Sequence, residues 1–263
     1  MSKKQQIKIA LVTGSTSGIG LAIAKQFIDD GYSVAINSAN KESDVVHILT
    51  PLLQSAKNPV AYFQADLSQK NSGVKLVEAV IEKFGRIDIL VNNAGVQKVA
   101  PVDELSIEDW DRVRTISLDA SFQTIKAAIP NMVKNGFGRI INISSVHGLV
   151  ASPYKSAYVA AKHALIGLTK TVALEVANKG ISVNAICPGY VFTPLVEKQL
   201  KDQMKVHNLS EQQVIEEIML ANQPTRQFVQ VEEIAALASY LSTDIARSIT
   251  GAAITIDGGW TAR

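Results

Sequence analysis

Residues 7–21 read Ile-Lys-Ile-Ala-Leu-Val-Thr-Gly-Ser-Thr-Ser-Gly-Ile-Gly-Leu. A short apolar run enters a turn holding Gly14, Gly18 and Gly20, and a helix-period segment follows at once. Glycines let a backbone turn tightly and approach a phosphate closely. The amino end of the following helix adds free N–H groups and the positive end of its dipole. The spacing is Gly-x3-Gly-x-Gly rather than the commoner Gly-x-Gly-x-x-Gly. No Gly-Lys-Ser/Thr follows, so this is not a nucleoside-triphosphate loop. The residue midway between Gly14 and Gly18 is Thr16, so it is not a nucleophile elbow either.

Outward from that turn, the chain alternates. Short β-branched runs predict strands at Ile7–Thr13, Ser33–Asn37, Val60–Gln64, Ile87–Asn92, Gly138–Ile143, Ile181–Ile186 and Ala253–Ile256. Most are continuously apolar, the pattern of strands buried on both faces. Helical periodicity marks Leu21–Asp30, Val74–Phe84, Ile107–Asn135 and Tyr154–Ala177. Such alternation predicts an α/β fold, a doubly wound parallel sheet of Rossmann type with helices on both faces. No linker or repeat divides residues 1–263, which read as one domain. Residues 196–226 form a polar, mostly helical insertion, with a capping box expected at Ser210–Gln213. This segment is either a lid over the carboxyl edge of the sheet or a surface insertion.

Composition narrows the classes. The 263 residues are 47 % hydrophobic and 19 % charged, which excludes a disordered chain. A formal charge of +2 gives no electrostatic case for nucleic acid or a membrane surface. No apolar run approaches the roughly 18–20 residues that span a bilayer. The amino-terminal apolar run is short and charged and lacks a cleavage site, so a buried first strand is expected and, with it, a cytoplasmic protein. The single cysteine, Cys187, forms no internal disulfide, and no base near it in sequence makes it a nucleophile. His47, His163 and His207 show no metal-ligand spacing, so no catalytic metal is expected.

Three further segments carry chemistry. After the second strand comes Asn37-Ser38-Ala39-Asn40-Lys41, with neither the acid that binds a ribose nor an arginine for an added phosphate. That favours NAD, with Lys41 the one nearby phosphate partner. Asp66 and Leu67 follow the third strand, where a carboxylate either accepts from an adenine amino group or caps a helix. Asn93-Ala94-Gly95 follows the fourth, where small residues let a flat ligand lie on the backbone. Ser144 and Ser145 end the fifth strand, and Ser152-Pro153 then reads as the N-cap and first residue of a helix. That start places Lys155, Tyr158 and Lys162 at i, i+3 and i+7 on one face. Two lysines beside a tyrosine predict a lowered phenol pKa and a proton exchanger for an alcohol or ketone. A solvated Lys/Tyr face is the alternative.

Thr13–Gly20, Asn92–Gly95, Ser145, Tyr158-x3-Lys162 and Pro188-Gly189 together resemble the short-chain dehydrogenase/reductase family, in order and at matching distances over nearly the whole chain. The resemblance implies Tyr158 as acid/base, Lys162 as its pKa-lowering and ribose-holding partner, and Ser145 on the substrate oxygen. It implies dinucleotide contacts at Gly14, Thr16, Ser17, Gly18, Ile19, Gly20, Asp66, Leu67, Asn93, Ala94 and Gly95, with Pro188, Gly189, Val191 and Thr193 bracketing the nicotinamide. One position departs from the pattern: seven residues after Trp110 stands Ser117, where the family usually has the asparagine of a water-mediated proton relay.

Within that family, residues 93–97, 145–152, 185–189, 193–199 and 257–263 resemble the bacterial D-3-hydroxybutyrate dehydrogenases. This narrower resemblance implies NAD-dependent, reversible oxidation of (R)-3-hydroxybutyrate to acetoacetate, as in ketone-body metabolism. It also implies a homotetramer. Gln97, His147, Lys155 and Gln199 would hold the small carboxylate, and Trp260 would shape the pocket from a neighbouring subunit's tail. The alternatives are an NADPH-dependent 3-oxoacyl carrier-protein reductase, another dehydrogenase of the family, or a non-catalytic dinucleotide-binding protein.

Overall fold

The computed structural model describes residues 7–193, 196–197, 200, 204 and 208–262. Seven strands form one sheet: β1 (Ile9–Val12), β2 (Ser33–Ser38), β3 (Val60–Gln64), β4 (Ile89–Asn92), β5 (Gly138–Ile143), β6 (Ile181–Pro188) and β7 (Ala253–Ile256). Their order is β3-β2-β1-β4-β5-β6-β7, and every pairing is parallel. The strand order reverses between β1 and β4, so the carboxyl ends of those strands open a crevice where α/β sheets bind ligands.

Successive residues of a strand face opposite sides, and β1 shows the consequence. Ala10 and Val12 pack under α1 (Gly18–Asp29), α2 (Glu42–Ser55) and α7 (Val231–Leu241). Ile9 and Leu11 pack under α3 (Ser72–Phe84), α5 (Ala120–Asn135) and α6 (Ser156–Val176). All four are buried, as the continuous apolar run predicts. Each large side chain withdrawn this fully contributes about 1.5–3 kcal/mol, and both faces of the central strands gain it. No described helix is long and apolar enough to cross a membrane.

Two expected helices are corrected. The continuous helix over 107–135 is instead α4 (Ile107–Arg114), a π-helical turn at Thr115–Asp119, and α5. The wide turn inserts a residue into the ladder and rotates Ser117 into the interior. The helix expected from Pro153 begins at Ser156, with Lys155 at the N-cap position. Tyr154 has φ +65°, which breaks the helical path just after the proline. Lys155 therefore lies outside the helix that carries Tyr158 and Lys162. The insertion keeps its capping box: Ser210 and Gln213 cap each other's backbone, and Glu211–Gln213 runs into a π-helical turn at Val214–Met219. Val196, Leu200, Val214 and Met219 form a small core of their own, with Tyr190 and Phe228 packed against it.

Candidate active site

Two cavities meet at the carboxyl ends of the strands. The larger, about 820 Å³, runs across the switch point between β1 and β4. That is the upper range of ligand cavities. Gly14, Thr16, Ser17, Gly18, Ile19, Asp66, Leu67, Asn93, Ala94, Gly95, Tyr158, Lys162 and Thr193 all line it. Gly14 and Gly18 have φ of +61° and +51°, open to glycine at little cost. Gly20 lies beneath rather than in the wall: a Cβ there would collide with the Asn93 amide and come within 2.5 Å of the Gly14 carbonyl. The Asn93 side chain donates to the Thr13 and Gly14 carbonyls at 2.9 and 3.1 Å, which ties the end of β4 to the glycine turn. Thr13 Oγ1 accepts from the N–H groups of Asn93 and Ala94, both at 3.0 Å. The Ser17 side chain makes no cap to α1, so the orphan N–H groups of the first turn face the cavity. This cradle fits the pyrophosphate of a dinucleotide.

Farther along, Asp66 accepts from Ser68 N at 2.9 Å and from Gln69 Nε2 at 3.3 Å, and the Ser68 side chain and backbone, then Gln69, hold its carboxyl below the usual range. It closes a local turn and is not a helix cap, because α3 begins only at Ser72. At the end of β2, Asn37 donates to the Phe63 and Ala65 carbonyls and accepts from Gly14 N. Ser38 Oγ is 2.7 Å from Tyr62 Oη. Lys41 stands at the α2 N-cap position and does not line the cavity. Sequence reading missed Asn37, Ser38, Arg112 and Ile116 in this wall, since the last two come from α4 and the π turn rather than from a strand end.

The smaller cavity, about 110 Å³, adjoins Tyr158. Gln97, Ser145, His147, Lys155, Pro188, Gly189, Tyr190, Val191, Thr193, Val196 and Trp260 line it. Burial pushes the Tyr158 phenol up to about 12, against the opposing pull of nearby Ser145. Burial also pushes Lys162 down to about 8. The lowered phenol pKa expected from two flanking lysines is thus corrected. Lys162 Nζ donates to the Ile143 carbonyl at 2.7 Å and lies 5.5 Å from the Tyr158 ring centre, while Lys155 donates to Tyr190 Oη at 3.1 Å. Neither ammonium bonds the phenol, so desolvation wins. An added positive charge in the cleft acts the other way.

Gln97 Nε2 is buried and has no hydrogen-bond partner among the described residues. An unmatched buried donor costs about 1–3 kcal/mol, and Gln97 lines the small cavity. His147 is 5 % exposed, and burial pushes its imidazole down to about 4. Its Nε2 lies 2.8 Å from Ser152 Oγ and its Nδ1 lies 3.5 Å from Ser145 Oγ. Trp260 stacks on Tyr190 at 5.6 Å and meets the His147 ring edge-on at 5.4 Å. The chain's own Trp260 lines its own small cavity. Asp257 turns the tail back, accepting from Gly259 N, Thr261 N and Thr261 Oγ1. Tyr190 was also missed, although an aromatic directly after Pro188-Gly189 was a signal for it.

Gln199 lies outside the described residues. Ser117, 1 % exposed, accepts from Val96 N at 3.4 Å. A Cβ on Gly95 would lie 3.5 Å from Ser117 Oγ and 3.7 Å from Lys162 Nζ, so the three positions meet. Cys187 is fully buried, and its thiol is pushed up to about 11. Among the described residues, no group of three His, Cys, Asp or Glu could hold a metal ion.

Comparison with known proteins agrees with this geometry. The chain is 50 % identical over 256 residues to D-beta-hydroxybutyrate dehydrogenase of Rhizobium meliloti, covering 97 % of this chain and 99 % of that one. It is 44 % identical to the enzyme of the same name from Cupriavidus necator, covering 97 % and 98 %. An engineered actinorhodin polyketide ketoreductase, crystallised with NADPH, superposes with a TM-score of 0.91 at 33 % identity, over 98 % of each chain. The short chain dehydrogenase family model matches residues 8–204, and with the dinucleotide cradle and the Ser145–Tyr158–Lys162 cluster behind it, the chain belongs to that family.

Proposed function

We propose that this chain is an NAD-dependent dehydrogenase that interconverts (R)-3-hydroxybutyrate and acetoacetate. The observation that carries the substrate is the unpartnered Gln97 amide, set with Lys155 in a small cavity beside Tyr158. A carboxylate there supplies the missing acceptor and a counter-charge for the lysine. Relatives at 50 % and 44 % identity carry the name of this activity.

The dinucleotide, when bound, supplies the hydride acceptor at its nicotinamide. Gly14, Gly18 and the first turn of α1 hold its phosphates, Asp66 and Leu67 its adenine side, and Lys162 its ribose. Pro188, Gly189, Val191 and Thr193 flank the ring. Past β2, Asn37 and Ser38 are already bonded and Lys41 does not line the cavity, which supports NAD over NADP, although Arg112 enters the same wall from α4. In oxidation, Ser145 Oγ and the Tyr158 oxygen bind the substrate hydroxyl. Tyr158, ionised when the cationic nicotinamide adds its charge to that of Lys162, removes the proton. Lys155 and the Gln97 amide fix the carboxylate. His147, neutral and turned to two serines, packs as a wall with Tyr190 and Trp260. Val196, which lines the small cavity, and the described residues packed with it support the 196–226 segment as a lid. The mechanism leaves Ser117 ordering Val96 next to Lys162. The reading includes a homotetramer, for which exposed apolar residues such as Phe122 and Leu174 are available, and it places the enzyme in the cytoplasm.

NADH formation from (R)- and (S)-3-hydroxybutyrate, each with NAD+ and NADP+, tests this. Turnover of the R acid with NAD+ is the expected result. Turnover only with NADP+, or only of uncharged alcohols, rejects the carboxylate pocket and points to an acyl reductase.

A further inference from the structure

Doubly wound sheets receive the adenosine ribose of a dinucleotide near the end of the second strand, where a carboxylate commonly accepts from the 2′-hydroxyl. This chain ends β2 on Ser38, which is 9 % exposed and lines the larger cavity. A serine hydroxyl both donates and accepts. Alone, it suits a ribose hydroxyl and a 2′-phosphate alike. What Ser38 offers depends on where its own proton points.

The edge strand β3 sets that direction. Tyr62 stands opposite Ile36 in the β2–β3 register, and alternate residues of a strand share a face, so Ser38 is the next β2 residue on the side of Tyr62. The tyrosine reaches along the strand. Its Oη lies 2.6 Å from the Asn40 carbonyl oxygen and 2.7 Å from Ser38 Oγ. A carbonyl only accepts, so the phenol proton goes to Asn40. Toward Ser38 the phenol oxygen is therefore an acceptor, and the serine proton is committed to it. The Asn40 N–H then donates to Ser38 Oγ at 3.2 Å. The serine keeps one free lone pair and no free hydrogen. The Asn37 amide is closed as a donor too, because Nδ2 gives its hydrogens to the Phe63 and Ala65 carbonyls. Of the cations lining the cavity, Lys162 stands beside Tyr158, and the charge of Arg112 falls on Asp66.

We propose that Tyr62 is a positioning residue for the choice of dinucleotide: by holding the Ser38 hydroxyl as an acceptor, it admits a ribose 2′-hydroxyl and turns away a 2′-phosphate. The inference rests on the NAD reading given above and supplies a cause for it. A 2′-hydroxyl donates into the free Ser38 lone pair. A 2′-phosphate is ionised at neutral pH, brings acceptors only, and meets that lone pair with no hydrogen between them. In a nearly buried wall such a mismatch is costly. Tyr62 acts through Ser38 and needs no contact with the dinucleotide.

Fluorescence titration of the full chain with NADH and with NADPH tests this without turnover. The unsubstituted chain binds NADH more tightly. In Tyr62→Phe the Ser38 hydroxyl is released and can donate into the cavity. The ratio of the NADPH Kd to the NADH Kd then falls about tenfold or more, as expected for one hydrogen bond to a charged group, chiefly through tighter NADPH. Loosened packing alone weakens both and leaves the ratio where it was. Ser38→Ala removes the lone pair and lowers the ratio as well, through weaker NADH. Adding Tyr62→Phe to Ser38→Ala moves the ratio no further, because the tyrosine has lost the group through which it acts. An unchanged ratio in Tyr62→Phe, or a full further shift in the double variant, overturns the role of Tyr62 and leaves the NAD reading standing. Should Tyr62→Phe fail to fold, Ser38→Ala carries the test, and the unsubstituted ratio retained there overturns the proposal. NADPH bound as tightly as NADH by the unsubstituted chain rejects the NAD reading itself, and the role of Tyr62 with it.

Discussion

The dinucleotide end and the substrate end of the cleft are built differently. At the first, one contiguous turn and two strand ends make the site mostly from backbone, pinned by Thr13, Asn37 and Asn93. At the second, side chains from four distant stretches meet: Gln97, the Ser145–Lys155 loop, Tyr190 and Trp260. A backbone site tolerates little variation in shape and serves one ligand class across a family. A side-chain site is retuned by single substitutions. Tyr158 stands at the seam and lines both cavities.

That division is tested most severely at the seam. Tyr158→Phe is expected to lower kcat by about 10²–10⁴-fold while NADH binding, followed by fluorescence titration, is retained. Loss of NADH binding would show that the two ends are one structure. In the unsubstituted enzyme, oxidation needs the phenolate, and burial raises the phenol. The oxidation rate should therefore climb with pH above neutrality, and the reduction rate should fall. Next, Gly20→Ala drives a methyl into Asn93 and toward the Gly14 carbonyl. Overpacking of this kind costs about 1–3 kcal/mol, so NAD+ affinity should fall roughly 5–100-fold. The KM for the acid at saturating NAD+ should stay put, and a matching change there would break the separation. An effect of comparable size is expected at Lys155. Lys155→Met removes one charge-assisted bond, worth about 1.5–3 kcal/mol, which predicts a KM for 3-hydroxybutyrate raised roughly 10–100-fold with dinucleotide affinity unchanged. An unchanged KM would assign Lys155 to Tyr190 alone.

The same contrast explains what the sequence made legible. Strands β3, β5 and β7 match the expected runs residue for residue: β5 is buried throughout, while the half-buried edge strands β3 and β7 are marked by β-branched and aromatic residues. The glycine turn was readable because its chemistry is contiguous. The break at Thr115–Asp119 was not: Ile107–Asn135 keeps helical periodicity across it, and the wide turn is set by where Ser117 and Val96 meet. The start of α6 was misplaced because Ser152-Pro153 is a sound helix opening by local rules, yet Ser152 is committed to His147. The phenol's raised pKa was equally hidden. Sequence shows two lysines near Tyr158, but only the fold shows that one bonds Tyr190 and the other a carbonyl. Tyr190 and Trp260 are 70 positions apart, so their stack has no local trace.

The buried imidazole of His147 carries a last consequence, for survival in acid. An unfolded chain takes up a proton on this histidine near its ordinary pKa of 6.5, whereas the folded chain refuses it until about 4. Between those values the unfolded state binds more protons, so stability falls as pH drops through that window and levels off below it. The loss from this one residue is on the order of 3 kcal/mol at most, a large share of a typical folding free energy. Mild acid therefore destabilises the fold through a residue of the substrate pocket.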